Sequence, residues 1–150
     1  MLNRRILRIK AFKVLYSSVL SDDMTLSHAE SQLEISCEAT RDLYLYMLGI
    51  VSPLTAVARE RIEAAKSKFN PTEEERNPNM KFAENALAAL LDKDPDFNKL
   101  FAKKKLSWQQ YDLLLKKVLT SVQSKPYYAE YMESAESGLA QDCRLFTRIF

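Results

Sequence analysis

Apolar residues recur at helical spacing along nearly the whole chain, and short polar breaks set off one helix from the next. Ile9, Phe12, Tyr16 and Val19 mark a first helix over residues 3–20, which stops at Ser21-Asp22-Asp23. Ser27 with Glu30 reads as a capping box. The helix it opens carries Leu33, Cys37, Tyr44, Met47, Leu48 and Val51 at a 3.6-residue period. Ser52-Pro53 ends or kinks that helix, and the pattern resumes through Val57, Ile62 and Ala65 to about Phe69. Asn70-Pro71-Thr72 followed by Glu73-Glu74-Glu75 begins a short acidic segment, with carboxylates where a helix N-terminus favours them.

The same devices return further along. Asn77-Pro78 predicts a helix over residues 79–92, and Asp94-Pro95 one over 95–104. Ser107 with Gln110 predicts another over 108–123, and Ser124-Lys125-Pro126 opens the next. Gly138 separates that one from a last apolar run, Leu139, Cys143, Phe146, Ile149 and Phe150. Seven or eight helices with short connections make an all-α, irregular multi-helix bundle forming a single domain over residues 1–150. The apolar run at residue 150 has no cap and no polar tail. It reads as the N-terminal part of a longer chain, or as a turn that docks into a neighbour or a second copy.

Composition narrows the classes. Only 2 glycines occur, Gly49 and Gly138, so there is no glycine-rich phosphate loop. A single histidine, His28, and the distant Cys37 and Cys143 give no metal-ligand spacing, so no cofactor is expected, and the thiols suit a reducing cytosol as small core hydrophobes. The chain has no run of about 18 apolar residues, which argues against a membrane span. Valine, isoleucine and threonine are too few to furnish several strands.

Candidate chemistry is thin. Asp92, Asp94 and Asp96 have the opening spacing of a calcium loop, but Phe97 stands where the turn needs glycine and Lys103 where it needs a bidentate glutamate. Capping is the better reading. Consecutive Glu73, Glu74 and Glu75 point in different directions on a helix, and His28 reads as a surface residue. Tyr127, Tyr128 and Tyr131 have the spacing of a helix–helix contact more than of a base-stacking row. The expectation is a protein that is not an enzyme.

Charge changes the picture most. The net charge is +2, yet residues 1–20 carry Arg4, Arg5, Arg8, Lys10 and Lys13 with no acid. Residues 21–64 are strongly acidic, and residues 101–125 hold six lysines, Lys103, Lys104 and Lys105 among them, against Asp112. Such segregation is the electrostatic footprint of an anion or nucleic-acid binder. The lysine patch is assigned mainly to solvation. The first helix is apolar over much of its girth and is predicted to be largely packed, with its cations in the first three turns free to grip phosphate. A helical protein–protein scaffold, in which that helix docks on an acidic surface, is the alternative.

The run Arg4-Arg5-x-x-Arg8-x-x-Ala11-x-x-x-Leu15-Tyr16 resembles the N-terminal signature of the NusB family of transcription antitermination factors. Arg41-Asp42-Leu43-Tyr44 through Leu48-Gly49-Ile50-Val51 looks like that family's next helix, and the opening Met1–Lys10 is similar to its long, Bacteroidetes-type form. The resemblance implies an all-helical, cytoplasmic RNA-binding protein. It would hold boxA-like ribosomal RNA leader together with a small-subunit ribosomal protein in the NusE role. It implies phosphate and RNA contacts for Arg4, Arg5 and Arg8, and Tyr16 as the packed end of the helix; Lys10 and Lys13 join the candidate RNA-binding set by their charge alone. Lys13 stands where the family usually has glutamine, and the family's C-terminal Ile-Asn-Glu and Phe-Val-Asn-Gly-type segments are not found in the chain. A targeting domain of an RNA-modifying enzyme is a third reading; it would need a catalytic domain.

Overall fold

A computed structural model describes residues 2–21 and 24–150. Asp22 and Asp23, the expected stop of the first helix, lie outside the described residues. Within them the chain is all α-helical, with no strand. The helices are α1 (Arg4–Leu20), α2 (Leu26–Leu48), α3 (Val51–Lys66), α4 (Glu73–Arg76), α5 (Ala86–Lys93), α6 (Pro95–Lys103), α7 (Asp112–Gln123), α8 (Pro126–Glu133) and α9 (Leu139–Ile149). A 3-10 turn, Gln109–Tyr111, leads into α7.

The chain divides into two compact units, residues 1–45 and 46–150, and the division falls inside α2, where the sequence pattern shows no break. In the first unit Asn3 caps α1 through its side-chain oxygen, which accepts from the Ile6 N–H at 2.9 Å. The cap of α2 is Thr25, whose hydroxyl accepts from the His28 N–H, and not the Ser27–Glu30 pair. The helix begins two residues earlier than that pair requires. Ala29 is the one buried residue among those described in residues 1–45.

The second unit has a conventional core. Val51, Leu54, Phe82, Leu119 and Phe146 are the largest side chains removed fully from water. α3 packs on α5 and α7, and α9 on α5 and α8. Phe82 is the hub, edge-on to Tyr128 at 5.5 Å and stacked with Phe146 at 6.0 Å. Trp108 stacks on Tyr46 at 4.4 Å and donates its indole N–H to the Tyr46 carbonyl at 2.8 Å. Pro53 lies in the first turn of α3, where a missing N–H costs nothing, so it starts a helix after the Gly49–Ile50 turn.

Several helix starts follow local chemistry. Thr72 and Glu75 form a reciprocal capping box on α4. The Asp94 carboxylate accepts from the N–H groups of Asp96 and Phe97, with Pro95 at the first helical position. The predicted helix over 79–92 is corrected. Residues 81–84 form a turn within an irregular stretch, and Asn85, buried in the core, caps α5 by accepting from the Leu87 and Ala88 N–H groups. Asn79 instead donates to the Met132 carbonyl at 3.0 Å. The Ser107 hydroxyl accepts from the Gln109 N–H, and the chain there takes the 3-10 turn and not a capping box.

Two glycine-type backbone positions are occupied differently. Gly138, at φ +125°, takes a conformation open essentially to glycine alone and turns the chain into α9. Lys105, at φ 52°, ends α6 in a Schellman motif: its N–H donates to the Ala102 carbonyl and that of Leu106 to the Phe101 carbonyl. On α9 the buried face is Asp142, Leu145 and Phe146. Leu139, Cys143 and Phe150 of the predicted apolar set are exposed, so Cys143 is not a core residue, and Cys37 is half-buried.

Candidate nucleic-acid interface

The predicted site residues all fall on α1, and the structure sorts them. Lys10, Ala11, Val14 and Ser18 form the half-buried side of the helix, together with little else. They recur at three- and four-residue intervals and so share one stripe. Lys10 is committed within this unit. Its ammonium donates to the carbonyl oxygen of Ser36 at 2.7 Å and to that residue's hydroxyl at 2.8 Å, which uses two of its three donors. It positions α1 on α2 and is a poor phosphate ligand.

Arg5, Arg8 and Lys13 lie away from that stripe and Arg4 at its edge, and all four are exposed. Among the described residues none of them has a carboxylate partner. At 100° per residue they span about half the circumference, and between them lie Ile9, Phe12, Leu15, Tyr16, Val19 and Leu20.

The expectation that α1 is largely packed is therefore corrected: the helix buries no residue. Phe12 is 69% exposed, Tyr16 59% and Val19 82%, so Tyr16 is not a packed helix end. The physical reason is the make-up of the helix's half-buried stripe: of Lys10, Ala11, Val14 and Ser18, only Val14 offers a sizeable apolar side chain. The Phe12 and Tyr16 rings are stacked against each other, 6.3 Å between centroids and 21° from parallel.

The position of Arg4 and Arg5 is electrostatically unfavourable for the helix itself. The first turn contains no acid, and a helix N-terminus disfavours cations by about 0.3–1 kcal/mol each. An anion placed there meets both the free backbone N–H groups and the guanidinium forks.

The lysine patch differs. Lys103 sits in the last turn of α6, where the dipole favours it, and both Lys103 and Lys105 are exposed. The tyrosines of α8 are core residues: Tyr131 is buried and Tyr128 half-buried against Phe82.

Sequence reasoning missed the polar network beneath that helix. Asp142 on α9 is buried, accepting from the Tyr131 hydroxyl and from the Ala86 N–H at the start of α5. Lys81 lies over the Tyr131 ring and donates to the carbonyls of Tyr131 and Ser134. Burial, and then the neighbouring Asp142 carboxylate, push the Tyr131 phenol far above its ordinary value. These hydrogen bonds tie α8, α9 and the start of α5 to one another, so the network is structural. The only sequence signal was Asp142 on the apolar face of α9.

Among the described residues no three histidine, cysteine or acidic side chains gather as a metal site, and no helix is long and apolar enough to cross a membrane. No family model, curated protein or solved structure matches the chain.

Proposed function

We propose that this chain is an RNA-binding helical module, cytoplasmic, of the antitermination type that its first helix resembles, with α1 as the phosphate grip. The observation that carries the reading is the exposure of Arg4, Arg5, Arg8 and Lys13 on one helix with no carboxylate partner among the described residues. Unpaired guanidinium groups retain their full capacity for bidentate phosphate contacts. A polyanion relieves both their mutual repulsion and their misfit with the helix dipole. Lys10 supports the grip indirectly, by fixing α1 on α2.

The partner in this reading is boxA-like leader RNA, taken together with a small-subunit ribosomal protein in the NusE role. The test is a binding titration of the chain with boxA-like and scrambled RNAs, with and without that ribosomal protein. Tighter binding of the boxA-like RNA, strengthened by the protein, is expected. Equal affinity for the scrambled RNA removes the antitermination role, and absence of binding to either removes the RNA reading.

A helical protein-interaction scaffold is the second reading, favoured by one specific observation. An open groove of about 700 Å3 in the first unit is lined by Leu2, Ile6, Cys37, Tyr44 and Leu45. It offers apolar surface to a partner side chain. In that reading the cations of α1 steer an acidic protein.

A further inference from the structure

We propose that Phe12 and Tyr16 are a stacking platform for bases, so that the RNA taken by α1 is single-stranded. The proposal rests on the RNA-binding reading above and adds the form of RNA that the site selects.

Three observations converge on it. Both rings stand in water, at 69% and 59% exposure, on the side of α1 away from its half-buried stripe of Lys10, Ala11, Val14 and Ser18. Nothing in the packing of the unit uses their area, although aromatic rings are the largest apolar surfaces a chain can bury. The rings are close to parallel and adjacent, which presents them as one row and not as two separate contacts. Arg8, Phe12 and Tyr16 follow one another at four-residue spacing, and Arg5 falls on the same arc. Cations therefore lead directly into rings along about 12 Å of helix.

That alternation matches a single strand and not a duplex. A flexible single strand exposes a phosphate and a π-face at every nucleotide, and proteins that bind it combine a cationic track with aromatic side chains. Arg5 and Arg8 hold the backbone while bases stack on Phe12 and Tyr16. In a duplex the base faces are already covered by their neighbours, and the rings would find only sugar and phosphate. An acidic protein partner would satisfy the cations but gives no reason for two parallel rings beside them.

The experiment uses the full chain and one RNA of about twelve nucleotides, carrying a fluorescent base analogue, either single-stranded or annealed to its complement. Wild type should bind the single strand more tightly than the duplex and quench the analogue. The double variant Phe12→Leu/Tyr16→Leu keeps apolar, helix-forming side chains. It should lose about 30-fold or more in single-strand affinity, two stacks each contributing about 5- to 150-fold, with duplex affinity and salt dependence unchanged. The single variants Phe12→Trp and Tyr16→Trp retain a ring and should retain single-strand affinity, which separates loss of stacking from loss of fold. Single-strand binding by the leucine variant at wild-type strength, or a wild-type preference for the duplex, overturns the platform while leaving the arginine grip standing. Failure of wild type to bind either RNA overturns the grip and the platform together.

Discussion

The Tyr131 hydroxyl donates to Asp142 Oδ1 at 2.6 Å, while Oδ2 of the same carboxylate accepts from the Ala86 N–H at 2.7 Å. One buried side chain on α9 thus ties α8 to the first turn of α5. Replacing it leaves the Ala86 N–H unsatisfied and the phenol with only its longer bond, 3.3 Å to the Lys81 carbonyl. Asp142→Ala should lower unfolding free energy by about 2–5 kcal/mol, read from the urea midpoint. Asp142→Asn, which keeps an acceptor, should cost less.

The same pair predicts an alkaline weakness. Tyr131 holds its proton in the folded state well beyond the ordinary phenol value of 10.0, first because it is buried and then because Asp142 faces it. Above that value the unfolded chain gives up the proton and the folded chain does not, so stability falls as pH rises past about 10. Denaturation followed between neutral and alkaline pH should show this decline in wild type and a smaller one in Tyr131→Phe.

Lys105 occupies the left-handed position of a helix-ending motif that normally takes glycine. Lys105→Gly relieves steric strain of about 1–2 kcal/mol. It gives back part of that in the entropy of the unfolded chain, for a net gain of roughly 0.5 kcal/mol. A raised melting temperature is expected for Lys105→Gly and none for Lys105→Ala.

The two units should differ in local stability. α3 carries Val51 and Leu54 fully out of water, whereas α1 buries nothing. Amide hydrogen exchange should therefore be orders of magnitude faster in α1 than in α3. Addition of single-stranded RNA should slow it in α1. Equal protection in the two helices would contradict the contrast in burial.

Some of this was legible in the sequence because the chemistry is local. Thr72 with Glu75, Asp94-Pro95 and Lys125-Pro126 set helix starts within three or four residues, and each opens a helix where the pattern placed it. Asn77-Pro78 is an equally good signal, yet the helix it announces starts only at Ala86. Phe82 is drawn into the core and Lys81 is held by carbonyls about 50 residues away, and such contacts leave no trace in a window of ten residues. The first helix shows the same limit. Its cations and its length are plain in the pattern, but whether Phe12 and Tyr16 are covered depends on what the neighbouring helix offers.

The central claim is that Arg4, Arg5 and Arg8 hold phosphate, and the salt dependence of RNA binding tests it most directly. Each phosphate contact to a single strand contributes roughly −0.7 to the slope of log affinity against log salt. Three to five contacts therefore predict a slope of about −2 to −3.5 for wild type. The triple change Arg4→Ala, Arg5→Ala and Arg8→Ala should weaken binding and flatten that slope by about 2, with helicity by circular dichroism preserved. Lys103, Lys104 and Lys105 changed to alanine should have a smaller effect. Identical affinity and slope for wild type and the arginine variant, both still helical, would contradict the account.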